Sequence, residues 1–180
     1  MAARKETTQR SAKSRVVAAV DVAVEQVVKL ERGGLKVVPG RAGPALAEAL
    51  TRLEAKWGAP LPPSYREFLT EVGGLHDVPP FWSVFPASQL LAASGPMKPA
   101  RKLLAQAVSM DDADVHEAMH VIGAARHAGR LLLLDPLASR GGEWGVVDFD
   151  VAGDSDTYRS FLDWLEKGLL GDLRAMVEEE

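Results

Sequence analysis

The order of patterns along this chain predicts an α+β fold: a mostly antiparallel sheet with helices packed on one face, and an extra helix at the N-terminus. Three observations carry that expectation. Apolar residues recur at helical spacing as far as Val72, three short apolar runs joined by glycine-containing turns lie between Met119 and Phe149, and one amphipathic segment follows them.

Residues 1–13 are polar and lack hydrophobic periodicity, so a disordered basic tail is expected there. Residues 14–40 read as a helical extension. Ser14 is placed to cap a helix running to about Arg32, and Gly33-Gly34 stops it. Leu35 to Val38 suits a short strand closed by Pro39-Gly40. Residues 41–180 form the main domain. It opens with a helix over Ala45 to Trp57, in which Leu46, Ala49, Leu50, Leu53 and Trp57 share a face and which Gly58 ends. Leu61-Pro62-Pro63 is a rigid extended link, because each proline fixes its own φ and restricts its predecessor. Ser64 and Glu67 have capping-box spacing for a third helix, with Tyr65, Phe68, Leu69 and Val72 inward and Gly73-Gly74 at its end.

Phe81 to Phe85 is strand-like, Ser88 to Ala93 a helical turn, Gly95 to Pro99 a loop and Ala100 to Met110 a helix. Met119 to Gly123, Arg130 to Asp135 and Glu143 to Phe149 form an antiparallel meander. Thr157 to Gly168 is the last strong helix, burying Tyr158, Phe161, Leu162 and Leu165, and Leu169 to Glu180 is a short helix or an acidic tail.

Composition narrows the chemistry. A chain of 180 residues suits one domain with a short extension. It has no cysteine, which excludes disulfides, a thiolate nucleophile and thiolate metal ligands, and fits a reducing compartment. The apolar stretch from Val16 to Leu30 is broken by Asp21, Glu25, Gln26 and Lys29, so neither a signal peptide nor a membrane span is expected, and the protein reads as cytoplasmic. Net charge is −4, but Arg4, Lys5, Arg10, Lys13 and Arg15 against Glu6 leave the rest at about −8. An acidic body disfavours direct nucleic-acid binding and suits a basic protein partner.

The run Trp57-Gly58-Ala59-Pro60-Leu61-Pro62-Pro63-Ser64-Tyr65-Arg66-Glu67-Phe68-Leu69 resembles the opening signature of the SUKH superfamily, which includes fungal cell-wall assembly regulators. Val72-Gly73-Gly74 stands where the family pattern has Asn-Gly-Gly. Val121-Ile122-Gly123, Leu131-Leu132-Leu133-Leu134-Asp135 and Ser160-Phe161-Leu162-Asp163-Trp164-Leu165 resemble its later segments, in order. The resemblance covers roughly residues 44–170 and implies core and turn roles for the matched residues, with no catalytic residue and no cofactor. It also implies a protein partner, often the toxin domain that a bacterial immunity protein neutralises; other members are regulators or scaffolds.

Two constellations compete with that reading. His116-Glu117-Ala118-Met119-His120 is a literal H-E-x-x-H, which on a helix puts His116 and His120 on one face as zinc ligands with Glu117 as general base. The strand expected over Val121-Ile122-Gly123 ends any helix near His120, Arg126 stands where an extended zincin motif has its third ligand, and Glu143 is a distant substitute. Asp148, Asp150, Asp154 and Asp156 share one stretch, but without the glutamate of a calcium loop they read as a solvated acidic loop, with Asp156 or Thr157 capping the helix that follows. That loop is a natural contact for a basic partner, extended by Asp111, Asp112, Asp114 and Glu117. Trp82 and Trp144 are either core residues or interface anchors. Three functions follow: toxin neutralisation, regulation or scaffolding with homodimerisation through the N-terminal helix, and zinc proteolysis.

Overall fold

A computed structural model describes residues 14–32, 40–79, 82–92, 95–110, 112–125, 129–152 and 155–178. The tail expected over residues 1–13 and the strand expected over Leu35 to Val38 lie outside the described residues.

Helix α1 spans Arg15–Arg32. Ser14 caps it as expected, with its Oγ accepting from the Val17 N–H at 3.3 Å. Val16, Val20, Ala23, Val27 and Leu30 recur every three or four residues and are all buried. Strand β1 is Gly40–Arg41, and α2 is Ala47–Trp57, closed by Gly58 at φ 73°. Helix α3 is Pro63–Glu71. The capping box expected at Ser64 and Glu67 is not what starts it. Pro62 holds the cap position and Pro63 the first helical position, where a missing N–H goes unnoticed. Ser64 therefore lies inside the helix, and its N–H and Oγ donate to the Glu143 carboxylate at 2.9 and 2.7 Å.

Strand β2, Leu75–Val78, had no signal in the sequence. β3 is Trp82–Val84, α4 is Ala87–Leu91 and α5 is Met97–Ser109. The loop expected up to Pro99 is instead the first turn of α5, which tolerates proline because its N–H groups have no partner within the helix. β4 is His120–Ala125, β5 Arg130–Arg140, β6 Glu143–Asp150 and β7 Asp156–Tyr158. The helix expected from Thr157 starts later. Tyr158 and Thr157 pair with Val146 and Val147 of β6, and Ser160 caps the helix through a 3.1 Å bond from the Asp163 N–H. That helix, α6, runs over residues 161–178: Phe161–Asp163 and Leu170–Glu178 are α-helical and Trp164–Leu169 is π-helical.

Among the described residues, six helices and a seven-stranded sheet make the α+β fold. The strands follow chain order and every neighbouring pair is antiparallel, so the meander extends across the whole sheet. Helices α1, α3 and α6 pack on one another as the main helical layer. Trp164 of α6 meets Trp82 edge-on, with centroids 6.0 Å apart. Ser83, next to Trp82, must face the other side. There it pairs with Ala124, which pairs with Leu131, and Pro99, Ala100 and Leu103 of α5 line the same hollow. Thus α5 adds cover to the opposite face, which explains why Leu131, Leu132, Leu133 and Leu134 are all buried. The buried residues form one continuous core that includes the inner face of α1.

Candidate functional site

Strand register gathers the acidic residues. Leu132 pairs with Asp148, Asp148 with Asp156, and Arg130 with Asp150. Paired residues share a face, so Arg130, Asp148, Asp150 and Asp156 lie together. Arg130 donates from Nε and Nη2 to Asp148 Oδ1 at 3.2 and 2.9 Å, and its Nε lies 4.0 Å from Asp150 Oδ2. Its guanidinium carbon sits 5.3 Å from the Trp82 ring centroid, a cation–π contact. Asp172 of α6 completes the group; its charge and that of Asp156 are felt at Asp148.

Among the described residues, four carboxylates thus gather about one guanidinium. Burial pushes the Asp148 carboxyl up to about 6, against the pull of Arg130 and with added repulsion from Asp172 and Asp156. Burial raises Asp172 as well, again opposed by Arg130 and helped by Asp156. Tyr158 is pushed up to about 12 by burial and then by Asp156, Asp148 and Asp172. The outward part of this group is a rim made by half-buried Asp150 and Asp172 and exposed Asp156.

The two histidines of the H-E-x-x-H run part company. His116 lies in the turn before β4, with Nε2 3.1 Å from Asp135 Oδ1. His120 begins β4 and stacks on Trp57, with centroids 4.4 Å apart and planes 3° from parallel. Trp144 lies alongside both rings, its centroid 5.7 Å from His120 and 6.2 Å from Trp57. Burial lowers the basicity of His120.

A model of the SMI1 / KNR4 family (SUKH-1) matches residues 44–167 of this chain. The chain belongs to that family. Comparison with curated proteins finds no match. The SUKH-1 match takes in the Trp57 to Leu69 signature, β2 to β7 and most of the acidic group; α1 precedes it and Asp172 follows it.

Within this SUKH-1 fold, several residues expected at a site have other places. Trp82 and Trp144 are 1% and 6% exposed and serve the core, so neither is an interface anchor. Asp148 is 3% exposed and is held by Arg130, so it shapes the rim from beneath rather than touching a partner. Asp112 lies on the α5–β4 connection, where Oδ1 accepts from the Asp114 N–H at 3.0 Å, away from the β6–β7 group. Asp111 and Asp154 lie outside the described residues. The zinc pair is overturned by geometry: a helical i,i+4 face needs both histidines on one helix, but one is in a turn and the other opens a strand. Glu143, the distant third ligand, is held by Ser64. Among the described residues no cluster of three or more His, Asp or Glu side chains is placed to hold a metal. No helix among them is long and apolar enough to cross a membrane. The apolar face of α1 is buried in the core.

Arg130 and Asp172 belong to the acidic group without any local sequence signal. Arg130 reaches it through strand register and Asp172 through the docking of α6.

Proposed function

We propose that this SUKH-1 chain is a non-catalytic binding protein that neutralises a basic toxin domain by docking it on the acidic rim of β6, β7 and α6. The observation that supports this reading most is the charge imbalance: among the described residues, Asp148, Asp150, Asp156 and Asp172 gather about one cation, Arg130. Like charges held opposite each other in paired strands are unfavourable, and Asp148 and Asp156 are such a pair. A Lys or Arg of a partner seated between Asp150 and Asp156 relieves that repulsion. The rim belongs to a body carrying about −8 outside its first fifteen residues, which steers a cationic partner toward it.

The test is association with a basic toxin domain identified beside the gene for this protein, using Asp150→Lys with Asp156→Lys. The double reversal should slow association by about tenfold or more at low salt, with the gap closing as salt rises. Unchanged association kinetics, or no complex with the wild-type chain, overturns the proposal.

A further inference from the structure

A second feature lies outside the acidic rim and has the opposite charge. Trp57, Leu90, Met97, Leu104 and His120 line a cavity of about 180 Å³ between α2, α4, α5 and β4, with Arg101 also on its wall. A dry apolar cavity of about 150 Å³ is large enough to take benzene. The walls are apolar except at two places. One is the His120 imidazole, which forms no hydrogen bond among the described residues and presents a flat ring stacked on Trp57. The other is Arg101, and Lys56 lies beside it, off the wall, on the same carbonyl oxygen. Arg101 Nη2 and Lys56 Nζ both donate to the Leu90 carbonyl oxygen, at 3.1 and 2.9 Å, and Lys56 also reaches the Leu91 oxygen at 3.2 Å.

Two cations on one carbonyl repel each other. Burial and then the charge of Arg101 lower the basicity of Lys56. Among the described residues neither cation forms an ion pair with a carboxylate. Capping the end of α4 through Leu90 occupies one of the five N–H donors of Arg101, and its planar fork suits a carboxylate. The arrangement is an apolar slot for one ring, walled in part by the Trp57–His120 stack, with a cationic lip that no described carboxylate neutralises.

We propose that this cavity binds a small aromatic carboxylate, its ring beside Trp57 and His120 and its carboxylate on Arg101 and Lys56. The site does not depend on the acidic rim, so it stands whether or not a toxin domain docks there. The match of a buried ring to the apolar walls supplies affinity, and the cations select the acid over its neutral analogue.

The experiment uses benzoate, with benzyl alcohol and acetate as the ring-only and charge-only controls. Binding is followed by titration of the tryptophan and histidine NMR signals of the full chain. Benzoate should shift the Trp57 and His120 signals saturably, with both controls weaker by about tenfold or more. Arg101→Met, on a partly exposed helix position, should weaken benzoate by about tenfold while the variant still unfolds cooperatively, because Lys56 keeps its bond to the Leu90 oxygen. Leu104→Phe fills the slot and should abolish the shifts. Absence of a saturable benzoate shift, equal binding of benzyl alcohol, or full affinity in Arg101→Met overturns the proposal.

Discussion

Asp148 shows how little a residue's type says about its role. Four aspartates fall between residues 148 and 156, and sequence spacing makes them equivalent. Their places in the sheet separate them: Asp148, on the interior strand β6, is covered and held by Arg130, while Asp156, opposite it on the edge strand β7, stays exposed. The consequence is a pH dependence with a definite sign. The folded carboxyl titrates at about 6 against an ordinary 3.8. Between those values the native state holds a proton that the unfolded state has lost, so this group's stabilising contribution is present at low pH and is lost as pH rises through about 6. Asp148→Asn keeps an acceptor for Arg130 and removes the slope. Its stability relative to wild type should rise by on the order of 2–3 kcal/mol between about pH 4 and about pH 7, read from denaturant unfolding at each pH. A difference that stays constant across that range would refute the assignment. Asp163, whose carboxyl is lowered first by its hydrogen bond from Lys167, acts in the opposite sense and below the ordinary carboxylate range, so the two windows do not overlap. Ser64 makes the same point as Asp148. Its spacing to Glu67 suggested a local cap, but its partner is Glu143, seventy-nine residues away.

At the scale of elements, local chemistry was a good guide to where α2 and α3 end and a poor one to where α3, α5 and α6 begin. Gly58 and Gly73 both end helices and both have positive φ, 73° and 82°. Their surroundings differ. A Cβ on Gly58 meets nothing within 4 Å, whereas one on Gly73 would lie 1.5 Å from the Gly43 carbonyl oxygen. Gly58→Ala should therefore cost only the left-handed strain, about 1–2 kcal/mol. Gly73→Ala must also displace backbone and should cost more than about 4 kcal/mol, or prevent folding. Equal losses of thermal stability in the two variants would contradict this account. Helix starts were misread for a common reason. Prolines at residues 62, 63 and 99 sit at or inside helix starts, and the β-prone Thr157-Tyr158 pair is claimed by β6 rather than by α6. Strand β2 escaped notice because its four residues, Leu-His-Asp-Val, include Asp77 at φ 57° and follow no clean alternation.

At the scale of the whole molecule, the N-terminal helix changes status. It precedes the family match, but Val16, Val20, Val27 and Leu30 are buried against the same core as the sheet. Burying four such side chains is worth roughly 6–12 kcal/mol, comparable to the entire stability of an ordinary domain. Deleting residues 14–32 should abolish cooperative thermal unfolding; a transition within about 5 °C of the full chain's would show that α1 is an appendage after all. The sequence by itself determined the α+β class, most of the helical and strand segments among the described residues, the stops at Gly58 and Gly73 and the resemblance to the SUKH superfamily. Those depend on periodicity and turn chemistry within a dozen residues. Tertiary structure alone decided which aspartates face outward, that Arg130 and Asp172 join them, and that His116 and His120 separate. The reason is register. The β5–β6 pairing shifts between Asp135 and Arg140, so counting back from the Gly141-Gly142 turn puts the partners of Arg130 to Asp135 on the wrong residues. Only the packed sheet and the docked α6 bring the charges of the rim together.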